Sequence, residues 1–229
     1  MNAVFSLEGV HVNFGRVQAL DACTLRIHAG EKLALVGANG SGKSTLLRTL
    51  HGLVRPSAGR LTQDEQLRQA MLFQRPFMLR ASVLNNVALG IFLKGHGWAQ
   101  SRALALQALE RVGLADLASR NARALSSGQQ QRAALARAWA LKPQVLLLDE
   151  PTASLDPTAK RDVERLMAEF SEAGMTLVFS SHNLGQVKRL ASRVLYLEHG
   201  RVVADLPTHE FFNGPLPLAA ANFLKGELV

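Results

Sequence analysis

The stretch Gly37-Ala38-Asn39-Gly40-Ser41-Gly42-Lys43-Ser44 decides how this chain folds. It matches G-x-x-x-x-G-K-[ST], a pattern in which a glycine-rich loop joins a strand to a helix and turns its backbone N–H groups onto phosphates. Its flanks have the required character: residues 32–36 (Lys-Leu-Ala-Leu-Val) read as a strand and residues 44–50 as a helix. Glycines at 37, 40 and 42 open conformations closed to other residues. The helix N-terminus adds its positive dipole, Lys43 supplies a point charge for phosphate oxygens, and the Ser44 hydroxyl suits Mg²⁺. Ala38, Asn39, Ser41 and Thr45 complete the expected nucleotide-contacting segment.

Downstream, the apolar run Val145-Leu146-Leu147-Leu148 has the character of a strand buried on both faces, and Asp149-Glu150 follows it directly. Two carboxylates there stand at the strand ends, the edge where open α/β sheets bind ligands. Asp149 suits Mg²⁺ through water, and Glu150 suits a general base acting on an attacking water. A helix then opens with Asp156 as N-cap and Pro157 at its first position, and stops before Gly174. Residues 176–180 form the next strand, so 145–180 is a parallel βαβ unit in an α/β fold.

Residues 4–12, 23–27 and 71–73 read as further strands, and 193–197 and 202–204 as edge strands before a short helical tail ending at Val229. From 75 to 142 the pattern is helical, with 98–112 rich in Ala, Leu, Gln and Arg and ending at Gly113. The organisation expected is one domain over 1–229, in which 1–74 and 143–229 form the core and 75–142 an inserted helical lobe.

Composition narrows the class. At 229 residues, with 48% hydrophobic and 19% charged side chains, the chain is long enough for a full α/β core, and disordered and collagen-like readings are excluded. Cys23 is the single cysteine, so an intrachain disulfide is impossible and a reducing compartment is expected. Mean hydropathy is only +0.06, and the run at 145–148 falls far short of the ~20 residues that span a bilayer. The first residues, Met1-Asn2-Ala3-Val4-Phe5-Ser6-Leu7-Glu8, lack the basic and apolar blocks of a secretory signal. A net charge of +8 calls for nucleic acid, an anionic membrane surface or a phosphorylated ligand.

Leu125-Ser126-Ser127-Gly128-Gln129 opens another helix. Ser126 and Gln129 form a capping box by spacing, but a cap does not need Gly128, which costs up to about 1 kcal/mol relative to alanine inside a helix. Tolerating that cost suggests close approach to the backbone, and an anion at the exposed N–H groups is the natural candidate.

Taken together, these motifs resemble the nucleotide-binding subunits of ABC transporters along nearly the whole chain, with residues 125–129 resembling the LSGGQ signature. The resemblance implies a P-loop NTPase fold: a RecA-like core with a mostly parallel sheet, an antiparallel β edge subdomain and an inserted α-helical subdomain. It casts Phe14 as the aromatic that stacks on adenine. Gln74 becomes the glutamine sensing Mg²⁺ and the γ-phosphate, Asp156 part of the D-loop, and His182 the histidine contacting the γ-phosphate. Ser127 departs from the family glycine; its Cβ narrows the approach to phosphate while its hydroxyl offers another hydrogen bond.

The same resemblance implies ATP and Mg²⁺ as cofactors and a homodimer that sandwiches ATP on a transmembrane permease. It also implies a periplasmic or extracellular solute-binding protein, a peripheral location on the cytoplasmic face of the membrane, and no nucleic-acid partner. Residues 73–80, with Ser82-Val83 and Asn86-Val87, look most like importers of oxyanions such as tungstate, molybdate or phosphate. Polar amino-acid importers come next, and ABC ATPases acting on nucleic acid or ribosomes and P-loop kinases are the rivals from other classes. Phe77, Met78 and Leu79 either pack beneath the helical lobe or dock a permease.

Overall fold

Strand β6 (Val145–Leu148) has all four side chains buried, and burying each Leu or Val contributes roughly 1.5–3 kcal/mol. Such a segment belongs inside a sheet. In the computed structural model, which describes residues 3–64 and 66–227, it lies between β5 (Gln69–Leu72) and β7 (Thr176–Ser180), parallel to both. Met1, Asn2, Glu65, Leu228 and Val229, which include the start of the expected signal-free N-terminus and the end of the expected tail, lie outside the described residues.

The six-stranded sheet continues through β3 (Lys32–Val36) and β8 (Arg193–Glu198) to β9 (Arg201–Pro207), in the order β5-β6-β7-β3-β8-β9. Every pairing is parallel except that of β8 with the hairpin strand β9. A three-stranded antiparallel sheet, β2 (Val17–His28), β1 (Ala3–Phe14) and β4 (Ala58–Gln63), packs beside it. The fold is therefore the α/β P-loop NTPase arrangement, with an antiparallel sheet and a helical portion.

Alternation divides the core in two. Leu33, Leu35, Val145, Leu147 and Val178 face the antiparallel sheet and helix α1 (Lys43–Leu50). Ala34, Val36, Leu146, Leu148 and Phe179 face the remaining helices. That second layer comprises α2 (Val83–Phe92), α3 (Trp98–Arg111), α4 (Ser127–Trp139), α5 (Pro157–Glu172), α6 (Leu184–Leu190), α7 (Thr208–Asn213) and α8 (Leu218–Glu227). No helix among the described residues is long and apolar enough to cross a membrane.

Three expectations change. Residues 193–197 form an interior strand, because β8 is flanked by β3 and β9, and of these last two strands β9 alone lies at an edge. β4 was not expected at all: it is almost wholly exposed, so its sequence carries no apolar alternation, and pairing with β1 alone defines it. Helical structure begins at Val83 rather than at 75. Pro76 disfavours helical geometry in the residue before it. Ser82 caps α2 by accepting from Asn85 N at 3.2 Å, and the buried Asn86 side chain donates to Leu79 O, Ala81 O and Ser82 O.

Candidate active site

Parallel pairing of β5, β6, β7 and β3 brings the residues that follow them, Gln74, Asp149 and Glu150, His182 and the glycine loop, to one edge of the sheet. The loop has the backbone that its glycines imply. Gly37 has φ +144, and a Cβ there would meet Leu197 O at 2.1 Å; Gly42 has φ +107, and a Cβ would meet Ala19 O at 2.7 Å. No other residue fits either position without moving backbone. Gly42 is the N-cap of α1 and contributes no side-chain acceptor, so the helix presents its first N–H groups to the loop. Lys43 is buried and folds back over the loop, donating to Gly37 O at 2.7 Å and Ala38 O at 2.9 Å. Ser41 Oγ, also buried, has no hydrogen-bond partner among the described residues, as suits a hydroxyl that meets an anion.

One polar network spans the edge. Ser44 Oγ and Ser180 Oγ both donate to Asp149 Oδ1 at 2.9 Å, and Glu150 N donates to Ser180 Oγ at 2.8 Å. Glu150 has φ +45, a left-handed conformation costing roughly 1–2 kcal/mol for a residue with a Cβ, and this turn directs its carboxylate between two loops. There Gln74 Nε2 donates to Oε2 at 3.0 Å, and His182 Nε2 lies 3.0 Å from Oε1. Gln74, Ser44, Asp149, Glu150 and His182 are thus brought together, with Lys43 beside Ser44 in the first turn of α1. Ser180 joins this network without being singled out by the sequence; its signal there is a polar residue ending an otherwise apolar strand.

The other expected residues stand apart from this network. Phe14 ends β1 at the hairpin turn, 53% exposed. Ser126 and Ser127 are exposed at the start of α4, where the capping box is fully formed: Ser126 N donates to Gln129 Oε1 at 3.0 Å and Gln129 N to Ser126 Oγ at 3.3 Å. Asp156 caps α5. Its carboxyl is held below the usual carboxylate range chiefly by the Ala159 N–H, with Thr158 N–H assisting, so the cap is intact at neutral pH and is lost as pH falls through that lowered value.

Gly128 requires a correction. It is buried, and a Cβ there would lie 2.6 Å from Ala159 Cβ of α5. The missing side chain is accounted for by close approach of two helices, and the argument from an anion does not need it. Overpacking costs typically 1–3 kcal/mol, partly offset by the better helix propensity of alanine. Gly128→Ala is expected to lose about 1–2 kcal/mol in urea unfolding, and Ala159→Gly in the same chain to recover part of that loss. A Gly128→Ala protein as stable as the parent would show that the helix pair yields freely.

A family model described as ABC transporter matches residues 20–153, which include the glycine loop, Gln74, residues 125–129 and Asp149-Glu150. The chain belongs to the ABC transporter family. It is an ATPase of that family. The nickel import ATP-binding protein NikO of Rhodobacter capsulatus is 40% identical over 99% of this chain and 98% of its own length. The glutamate/aspartate import ATP-binding protein GltL of Escherichia coli is 34% identical over 96% and 98%. Among solved structures, cbiO1 of Clostridium perfringens, described as part of the ABC transporter complex cbiONQ, superposes with TM-score 0.83 at 29% identity, covering 93% of this chain and 91% of that one. A dimeric ATP-binding cassette in a post-hydrolysis state bound to ADP and phosphate gives TM-score 0.80 at 28% identity, over 89% and 98%.

In this ABC ATPase a groove of about 430 Å³ runs from Ser44, Asp149 and Gln74 outward to Arg75 and Phe77. The apolar trio beyond Gln74 divides in its behaviour. Met78 is buried, whereas Phe77 and Leu79 are exposed. Arginines hold the loop from behind: Arg137 Nη1 donates to Phe77 O at 3.1 Å, Arg123 Nε to Met78 O at 3.1 Å, and Arg123 also lies over the Phe77 ring.

Proposed function

We propose that this chain is the ATP-hydrolysing subunit of an ABC importer, acting as a homodimer against a separate transmembrane permease on the cytoplasmic face of the membrane. The observation that carries the reading is the Glu150 carboxylate poised between Gln74 and His182, one residue from an Asp149 that is hydrogen-bonded to the loop serine Ser44. The import ATP-binding relatives, matched over almost their whole length, support the importer assignment.

Residues 37–45 cradle the phosphates, with Lys43 on the β and γ groups, and Phe14 offers its exposed ring to adenine. Ser44 and Asp149, whose oxygens lie 2.9 Å apart, with the Gln74 side chain, would hold Mg²⁺ in an all-oxygen site. A magnesium ion held there would supply positive charge to offset that of the phosphates. Glu150 accepts the proton of the attacking water, His182 contacts the γ-phosphate, and Gln74 reports occupancy along the groove to Phe77 and Leu79, where the permease docks. Among the described residues no hydrogen bond or ion pair joins residues 126–129 to the cradle of their own chain, and they serve the nucleotide of a second copy, with Asp156 beside that interface. The division into a core of 1–74 with 143–229 and a helical lobe of 75–142 lets closure move the signature relative to the loop.

A site shared between two chains makes ATPase activity rise with the square of protein concentration below the dimerisation constant. The expected Hill coefficient in enzyme concentration is near 2, measured by phosphate release. Strictly linear activity over a hundredfold dilution would overturn the sandwich. Ser127→Gly separates the two effects of that side chain: a several-fold rise in turnover marks the Cβ as an obstruction, and a fall marks the hydroxyl as a contact.

The cargo is selected by partner chains, since the nucleotide site carries no group addressed to it. Residues 73–87 support an oxyanion such as tungstate, with a solute-binding protein delivering it. The second reading, a polar amino acid, is favoured by the similarity to GltL. Identifying the permease and binding protein encoded beside this chain decides between them.

A further inference from the structure

A cavity of about 1010 Å³ lies at the opposite edge of the sheet from the nucleotide site. Its walls come from the end of α1, the entry to β5, the end of α2, α3 and the segment joining α4 to β6, so it spans the sheet and the helical layer. Its size is at the upper end of small-molecule sites.

Its electrostatics are one-sided. His51, Arg68, Lys94, His96 and Lys142 all contribute, and no aspartate or glutamate is among the described lining residues. Lys94, His96 and Lys142 are exposed, and none has an acidic partner among the described residues. Lys142 sits at φ +48, a conformation that disfavours any residue with a Cβ. The floor is apolar, built by Leu67, Ile91, Leu104 and Leu141, with Trp139 alongside. Two buried polar atoms of lining residues, His51 Nδ1 and Gln69 Oε1, lack hydrogen-bond partners among the described residues.

We propose that this cavity is a binding site for a small organic anion, one with an apolar body against Ile91, Leu104 and Leu141 and a phosphate, sulfonate or carboxylate facing Lys94, His96 and Lys142. Because it touches both the sheet and the helices, an occupant links the positions of the two layers at a point remote from ATP.

The naphthalene sulfonate ANS, an apolar ring system with one anionic group, serves as the probe. It is titrated into the full chain in the presence of saturating Mg-ADP, which blocks the nucleotide site, and binding is followed by fluorescence. One saturable site is expected, with a Kd raised at least tenfold in Lys94→Glu/Lys142→Glu and severalfold in Lys94→Gln/Lys142→Gln. Both lysines are exposed, so the thermal midpoint should stay close to that of the parent, and N-phenyl-1-naphthylamine, which lacks the sulfonate, should bind all three proteins alike. The same Kd in parent and both variants overturns the proposal. So does complete loss of ANS binding on adding Mg-ADP, which places the probe in the nucleotide site, or displacement of ANS only by a polyglutamate peptide and never by a naphthyl phosphate, which assigns the cleft to a protein segment.

Discussion

Glu150→Gln is expected to lower ATP turnover by about 10²–10⁴-fold, the usual contribution of a positioned general base, while leaving ATP binding intact. The amide is isosteric with the carboxylate and keeps the backbone at φ +45, so the loop conformation survives. What disappears is the acceptor for the proton of water, at the point where Gln74 and His182 both reach the side chain at 3.0 Å. With hydrolysis stopped and the phosphates still held, ATP-bound dimers accumulate. Phosphate release measures the first effect, and size-exclusion chromatography with and without Mg-ATP the second. Parental turnover in this variant removes Glu150 from the role of base.

The second large effect is that of Lys43→Ala. Its ammonium is buried and fixed on two loop carbonyls, so it is ordered before any phosphate arrives and does not have to be gathered from solvent. Removing one such preorganised charge typically lowers turnover on the order of 10²–10³-fold, and here ground-state binding of the β and γ phosphates falls as well. ATP-driven transport should be lost. Titration with a fluorescent ATP analogue and a steady-state assay separate the two losses, and a thermal melt without nucleotide shows whether the loop still folds. Full activity in Lys43→Ala would contradict the cradle.

Much of the site was legible because its chemistry is local. The glycine loop, the carboxylate pair after an apolar run and the histidine after another strand each announce themselves within about eight residues, and the parallel sheet places them on one edge. What escaped was what depends on distant chain. Ser180 looks like any serine ending a strand, until the sheet register sets its hydroxyl against Asp149 and Glu150, about thirty residues away in sequence. β4 carries no pattern because only its pairing with β1 makes it a strand.

Gly128 shows the limit most clearly. Helix propensity says that a glycine in the first turn is costly and wants a reason, and this much follows from the amino acids alone. Which body approaches the backbone is a question about partners, and α5 brings Ala159 there from thirty-one positions further along the chain. The sequence by itself determined the phosphate loop, the βαβ unit over 145–180 and the Ser126 and Asp156 caps, since these follow from dihedral freedom, periodicity and side-chain chemistry over short spans. Only the tertiary structure decided that β8 is interior, that Gln74, Glu150 and His182 meet, and that a basic cleft opens at the far edge of the sheet. Strand order and helix packing are set by burial summed over the whole chain, and no short stretch of residues contains that sum.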